Sequence, residues 1–360
     1  MVLLHIGSFG HNIYSGIFIV APQHIIMQQS TEQVAFVNIS NVSIKGVNYQ
    51  YKYDSNFQIS NLPSPFSKPD LVIFHGIYIK EYLRIYKQLK KHFIPYIIIP
   101  HGSLTIEALN KKRIKKKTAN ILFFNKFINN AIAIQYLSKH ECESSNFGKE
   151  KFICTNGISI PNLQKTSFHE DKVILTYIGR LDYYHKGLDL LIQAVKKKES
   201  FLLQNKCKIN LYGPNINNQA ETIKKLIAEN SVSNIVELHD AIIGKEKESV
   251  LLNTDIFIQT SRFEGMPMGI LEALSYGIPC LVTDGTTLGS LIKQFDAGWC
   301  SETSVDAIAD KLEIAVKNAN EYKQKSLNAV KLISHEFVWE KVCSKELIAY
   351  RQYVSTQEQV

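Results

Sequence analysis

Short apolar runs alternate with helical patterns along this 360-residue chain, and near its middle the alternation starts afresh. In the first half the patterns predict strands at 2–6, 34–38, 71–74, 96–99 and 131–137. Helices are expected at 16–29, 79–91 and 104–129, and residues 40–69 are weakly patterned and punctuated by Pro63, Pro65 and Pro69. A turn-rich stretch, Thr155-Asn156-Gly157-Ile158-Ser159-Ile160-Pro161-Asn162, reads as a linker. Beyond it, strands are expected at 173–178, 208–212, 235–238, 255–260 and 279–283. Helices are expected at 187–198, 222–230, 247–253, 269–276 and 304–317, and at the chain's end. Strands that alternate with helices form parallel sheets covered on both faces. The length exceeds what one core serves. The expected fold class is therefore α/β, with two Rossmann-like doubly wound domains. Their strand C-termini face a central cleft, where such sheets bind ligands. One substrate per domain suits a transferase.

Composition narrows the surroundings. Hydrophobic residues at 45% and charged residues at 21% are globular values. Six scattered cysteines without a CxxC pair read as reduced thiols of a cytoplasmic protein. The first ten residues lack a basic n-region and hold His5, unlike a secretory signal. No run approaches the roughly 18 apolar residues of a membrane span. Net charge is +8, and residues 1–160 carry 18 Lys+Arg against 8 Asp+Glu, so the whole excess lies in the first half. Its densest part is Lys111, Lys112, Arg113, Lys115, Lys116 and Lys117, followed by Ile121, Leu122, Phe123, Phe124 and Phe127. Two readings stand: a solvated helix face, or a basic turn running into an apolar face that lies on an anionic membrane. Nucleic acid is not expected, because no helix-turn-helix, zinc or RNA-binding signature accompanies the charge.

The chemistry concentrates in the second half. Glu264 and Glu272 flank a turn rich in Gly and Pro, Gly265-Met266-Pro267-Met268-Gly269-Ile270, that opens a helix. A helix start presents N–H groups to an anion, and carboxylates accept from hydroxyls. Glu272 is expected in the first turn of that helix, facing a ligand. Arg180, after the strand at 173–178, and Lys186, before the next helix, together make a candidate diphosphate site. The plainer alternatives are two surface cations, a carboxylate stabilised by the helix dipole at Glu272, and a loop residue at Glu264. No GxGxxG follows either first strand, which argues against a dinucleotide reader. His75 at a strand end reads more readily as structural than as a ligand contact.

The combination of Gly179-Arg180-Leu181, Lys186-Gly187, Glu264-x7-Glu272 and Tyr276-Gly277-Ile278-Pro279 resembles the donor domain of glycosyltransferase family 4, whose members have the GT-B fold. Pro100-His101-Gly102-Ser103-Leu104 resembles the family's acceptor-domain His-Gly segment. Asn156-Gly157-Ile158 resembles its domain junction, and Phe337–Trp339 the start of a final helix that crosses back to the first domain. The resemblance implies an acceptor-side domain at 1–157, with 337–360 returning to it, and a donor-binding domain at 158–336. It implies a retaining transferase that moves a hexose from a nucleotide-diphosphate sugar to a carbohydrate, lipid-linked in surface polysaccharide assembly. Arg180 and Lys186 would hold the diphosphate and Glu272 the ribose. Glu264, with the N–H groups of Met266, Met268, Gly269 and Ile270, would grip the sugar and phosphate. His101 would lie near the reacting carbon. No cofactor or protein metal is implied, and no DxD motif is present.

Two departures stand out. The family's paired early glycines read here Tyr14-Ser15-Gly16, so only Gly16 carries over, and Pro267 removes one N–H from the turn. Two rival readings are a sugar-nucleotide epimerase of the same fold and a non-catalytic nucleotide-sugar-binding protein. The former would need an acid/base pair beyond Glu264 and His101, and the latter would not need the four charged residues intact. Donor sugar, base, acceptor, linkage and oligomeric state are left open by the sequence.

Overall fold

A computed structural model describes residues 1–10, 16–110, 116, 118–216 and 218–357. The chain forms two compact units, Met1–Gly157 with Trp339–Val360, and Ile158–Val338.

The first unit holds a seven-stranded sheet in the order β3-β2-β1-β4-β5-β6-β7. The strands are β1 Val2–Gly7, β2 Gln33–Asn38, β3 Tyr49–Lys52, β4 Leu71–His75, β5 Tyr96–Ile99, β6 Ala133–Tyr136 and β7 Lys151–Ile153. Every pairing is parallel. The central strands are continuous apolar runs because helices cover both faces: Leu3, Leu4, Ile73, Phe74, Ile97 and Ile98 have no exposed surface. The edge strands β3 and β7 escape the sequence pattern. They are short and half-exposed and carry no apolar run.

The second unit holds six parallel strands in the order β10-β9-β8-β11-β12-β13. These are β8 Val173–Ile178, β9 Cys207–Tyr212, β10 Val236–His239, β11 Ile256–Gln259, β12 Cys280–Thr283 and β13 Gly298–Ser301. β13, Gly-Trp-Cys-Ser, has neither the length nor the β-branched content that marks a strand in sequence. Strand order reverses between β8 and β11, and ligands of doubly wound sheets bind beside the strand C-termini at such a switch point. In the first unit the reversal falls between β1 and β4.

The final helix begins at Trp339, and Trp339, Val342, Leu347 and Tyr350 form its buried stripe. Phe337, expected at the start of that helix, instead caps the preceding one and packs with Ala329, Leu332 and Ile333 in the second unit's core. Among the described residues no helix is long and apolar enough to cross a membrane. At the end of the first unit's main segment, a Cβ on Gly157 would stand 2.4 Å from the buried Trp339 ring. Gly157→Ala is therefore expected to cost about 1–3 kcal/mol, read as a lower denaturation midpoint with an unchanged m-value.

Candidate functional site

In the second unit the switch point gathers the charged residues. β8 ends at Ile178 and leads into Gly179 and Arg180; β11 ends at Gln259 and leads into the 260–267 loop. Glu264, 9% exposed, lies between them. Its Oε1 accepts from Lys186 Nζ at 2.5 Å, Ser261 Oγ at 2.7 Å and Gln259 Nε2 at 2.9 Å. Burial pushes the Glu264 carboxyl up, but the Lys186 charge, these hydrogen bonds and nearby His185 outweigh it, so its pKa falls below the ordinary carboxylate value. Oε2 has no donor among the described residues. One carboxylate oxygen is fully engaged by the protein and the other is open to a ligand.

Lys186 is fixed by its own turn. Gly187 caps the helix Leu188–Lys197 with φ +63, and a Cβ there would meet the Thr260 carbonyl oxygen at 1.9 Å. Arg262 ties the two loops together. Its guanidinium makes a bidentate pair with Asp189, both bonds 2.7 Å, and stacks over Tyr184. The His185 ring lies on Phe263 with centroids 4.1 Å apart, and the Arg262 N–H donates to the His185 carbonyl. Arg180 is exposed, and its guanidinium has no hydrogen bond or ion pair among the described residues.

The helix after the loop runs Met268–Ser275 with Pro267 as its N-cap. It starts one residue earlier than expected, so Glu272 is its fifth residue and lies beyond the first turn, which holds no acidic residue. The macrodipole therefore does not account for Glu272. Instead Lys247, on the helix Gly244–Leu252, engages its Oε2. At the helix start the Ile270 N–H donates to the Pro267 carbonyl at 3.1 Å. The N–H groups of Met266 and Gly269 have no acceptor among the described residues, and Met268 is half-buried between them. His239 ends β10, stacks on Tyr212 at the end of β9 and bonds Asn210 at 3.1 Å.

In the first unit His101 follows β5 with φ +49, and Gly102 with φ +78. A non-glycine residue in the left-handed region persists only where its surroundings hold it. Buried Glu141 does so, accepting from the Gly102 N–H at 2.5 Å and the Leu137 N–H at 2.8 Å. His101 Nε2 lies 3.1 Å from His75 Nδ1, and His75 Nε2 lies 2.9 Å from His5 Nδ1. His75 is thus buried, and its ring contacts His101. Gly16 is the first residue of the helix Gly16–Gln28. Tyr14, Ser15, Lys111, Lys112, Arg113, Lys115 and Lys117 lie outside the described residues. Lys116 donates to the Ala108 carbonyl and lies over the Tyr78 ring.

Arg180, Lys186, Glu264, the Met266–Ile270 turn and Glu272 therefore belong to one unit and His101 to the other. Sequence reasoning missed Gln259, Ser261, Asp189, Arg262, Lys247 and Glu141. Ser261 adjoins the loop already singled out, whereas no local pattern relates Arg262 to Asp189 or Glu141 to Gly102.

Residues 160–331 match the family described as glycosyl transferases group 1. An uncharacterized glycosyltransferase of Haemophilus influenzae is 26% identical to it over 202 residues, 54% of this chain and 55% of the relative. The Escherichia coli UDP-Gal:alpha-D-GlcNAc-diphosphoundecaprenol alpha-1,3-galactosyltransferase is 35% identical over 65 residues, 18% of this chain and 17% of the relative. The chain spans a little over half the length of the first curated relatives it matches. The Anabaena protein HepE, solved with UDP, is similar at a TM-score of 0.74 and 14% identity, covering 98% of this chain and 100% of that one; it has also been solved with UDP-glucose. This likeness shows the fold, which is GT-B. The matched segment contains every candidate donor-site residue except Gly16.

Burial lowers the pKa values of His5 to about 4 and of His101 to about 3, against an ordinary 6.5, and that of His75 well below it. Between the folded and ordinary values the unfolded chain binds protons that the native chain does not, so stability rises with pH there and is lost on acidification. His24, raised beside Glu346, acts in the opposite sense: its contribution is complete below 6.5 and fades as pH rises through its folded value. Four lowered histidines, with burial also lowering His185, against one raised predict a melting temperature that falls from pH 6.5 towards 4. His5→Gln, which does not titrate, should flatten that slope.

Proposed function

We propose that the protein is a glycosyltransferase that moves a hexose-type sugar from a uridine-diphosphate donor to a carbohydrate acceptor with retention of anomeric configuration. The observation that carries this reading is the switch-point site. An unpaired arginine, a lysine held by a glutamate and two open N–H groups are assembled within the segment that matches glycosyl transferases group 1. Arg180 and Lys186 take the diphosphate. The open oxygen of Glu264 accepts a sugar hydroxyl, and that of Glu272 accepts from the ribose. In the transfer the bond from C1 to the diphosphate oxygen breaks and the acceptor oxygen bonds to C1. The acceptor's proton passes to the departing phosphate oxygen. Cations fixed beside that oxygen stabilise its growing charge, so the reading includes no metal. The UDP bound by HepE and the uridine donor in the name of the galactosyltransferase support the choice of base.

The same galactosyltransferase, whose name gives a diphosphoundecaprenol-linked acceptor, supports a lipid-linked acceptor used in surface polysaccharide assembly. A peripheral place at an anionic membrane is part of this reading. It rests on the basic run at 111–117 and on Leu122 and Phe123, which are 63% and 58% exposed. Liposome flotation tests it: anionic vesicles should float the protein, and Leu122→Ser with Phe123→Ser should abolish flotation.

A thermal-shift panel of nucleotide sugars should show stabilisation by at least one uridine-diphosphate sugar. Product analysis with that donor should give transfer that persists in a chelator. Arg180→Ala should lower kcat about 100- to 1000-fold, and Glu264→Gln about tenfold or more. Absence of donor binding across the panel overturns the proposal. Conversion of donor without an acceptor would make the protein an epimerase.

A further inference from the structure

The three imidazoles of the first unit climb one face of its sheet. His5 in β1 stands opposite Ile73 of β4, and His75 lies two residues on, on the same face. His75 stands opposite Ile99 of β5, and His101 lies two residues beyond Ile99. Neighbouring rings are near-parallel, with centroids 5.2 and 5.4 Å apart. The inner end of the row continues into a buried polar chain. His5 Nε2 meets Gln28 Oε1 at 2.8 Å, and Gln28 Nε2 donates to Glu346 Oε2 at 2.7 Å. Glu346, on the final helix, has no exposed surface and also accepts from Gln135 Nε2 and from His24. His24 Nε2 donates in turn to Asn156 Oδ1 at 3.1 Å.

This chain has a direction. A carboxylate accepts only, so Gln28 must turn its amide nitrogen to Glu346 and its carbonyl oxygen to His5. His5 must then carry its proton on Nε2, which leaves Nδ1 as an acceptor. His75 can meet that acceptor only with an Nε2 proton, so its own Nδ1 is an acceptor as well. His101 repeats the pattern. Protonating any inner ring would set donor against donor in a place that water does not reach. His101 Nδ1 has no partner among the described residues, and the residue is partly exposed.

We infer that His75, His5, Gln28 and Glu346 are positioning residues that hold His101 as its Nε2–H tautomer, so that its Nδ1 lone pair accepts a hydrogen bond from a hydroxyl of the sugar substrate. The inference rests on the proposed glycosyl transfer only for the identity of that hydroxyl; the tautomer is a property of the unliganded chain. A neutral acceptor at this place repels a bare phosphate oxygen and welcomes a hydroxyl. The chain therefore assigns His101 to sugar recognition rather than to phosphate binding.

The test is nitrogen-15 NMR of the histidine side chains in the full-length protein at neutral pH, with assignments from single-histidine variants. The expected result is a protonated Nε2 and an unprotonated Nδ1 for His5, His75 and His101, with the favoured His101 tautomer in about tenfold excess or more. His24 should carry both protons. A predominant Nδ1–H tautomer at His101, or an even mixture, overturns the inference. His5→Gln can donate to Gln28 and accept from His75, so it should preserve the wild-type His101 signature. His5→Leu interrupts the chain and should bring the two tautomers to within about threefold of each other. An unchanged His101 signature in His5→Leu overturns the positioning role even where Glu346→Gln fails to fold. With an active donor in hand, His5→Leu should lower kcat more than His5→Gln does. Should no nucleotide sugar bind, the transferase reading falls while the tautomer result stands or falls by itself.

Discussion

Glu264 keeps a negative charge where only 9% of its surface meets water. Such a charge persists only with a countercharge and hydrogen bonds in good geometry. Lys186, Ser261 and Gln259 supply both on a single oxygen. Each partner comes from a different piece of the second unit: Gln259 from the end of β11, Ser261 from the loop after it, and Lys186 from the turn after β8. Removing the carboxylate would release all three together, so the shape of the switch point depends on this one desolvated group. The Arg262–Asp189 pair and the His185–Phe263 stack then brace the same two loops from outside.

The first unit solves a similar problem with Glu346. That carboxylate, on the final helix, lies deeper, and its partners come from the helix Gly16–Gln28 and from β6. Burial pushes Glu346 up, while His24 and the amide donors hold it below the ordinary range. The ion pair thus fastens the last helix to the helix Gly16–Gln28, and the Gln135 bond fastens it to β6, beside the Trp339 to Tyr350 stripe. A buried network is stabilising only when every member is satisfied. The row of neutral histidines is what remains after that condition is met outward from Glu346.

Much of this was legible in the sequence because the information was local. Apolar runs marked the central strands, which are buried on both faces, and the spacing from Arg180 to Glu272 marked the ends of β8 and β11. Three strands were not legible. β3 and β7 lie at sheet edges where one face needs no apolar residue, and the four residues of β13 owe their pairing to β12 rather than to propensity. The helix that holds Glu272 starts one residue earlier than the sequence pattern places it, directly after its N-cap Pro267. The partners of the site residues were the least visible. Glu141 with Gly102, Glu346 with His24, and Lys247 with Glu272 are separated by 39, 322 and 25 residues, and only folding brings them together.

The charges at the switch point suggest why its cations differ in their surroundings. Lys186 is largely neutralised by Glu264, and Glu272 by Lys247, whereas Arg180 is unpaired. The resting site therefore offers one uncompensated positive charge and two open N–H groups. It attracts an anion without the deep well that four bare cations would create. Interactions that hold ground state and transition state equally add affinity and not rate. A guanidinium with no competing partner can follow the charge that builds on a departing phosphate oxygen. A lysine held at 2.5 Å by a carboxylate is set in position before the ligand arrives. In the proposed transfer Arg180 thus supplies the larger share of rate, and the Lys186–Glu264 pair supplies the geometry in which the sugar hydroxyl and the diphosphate are held together.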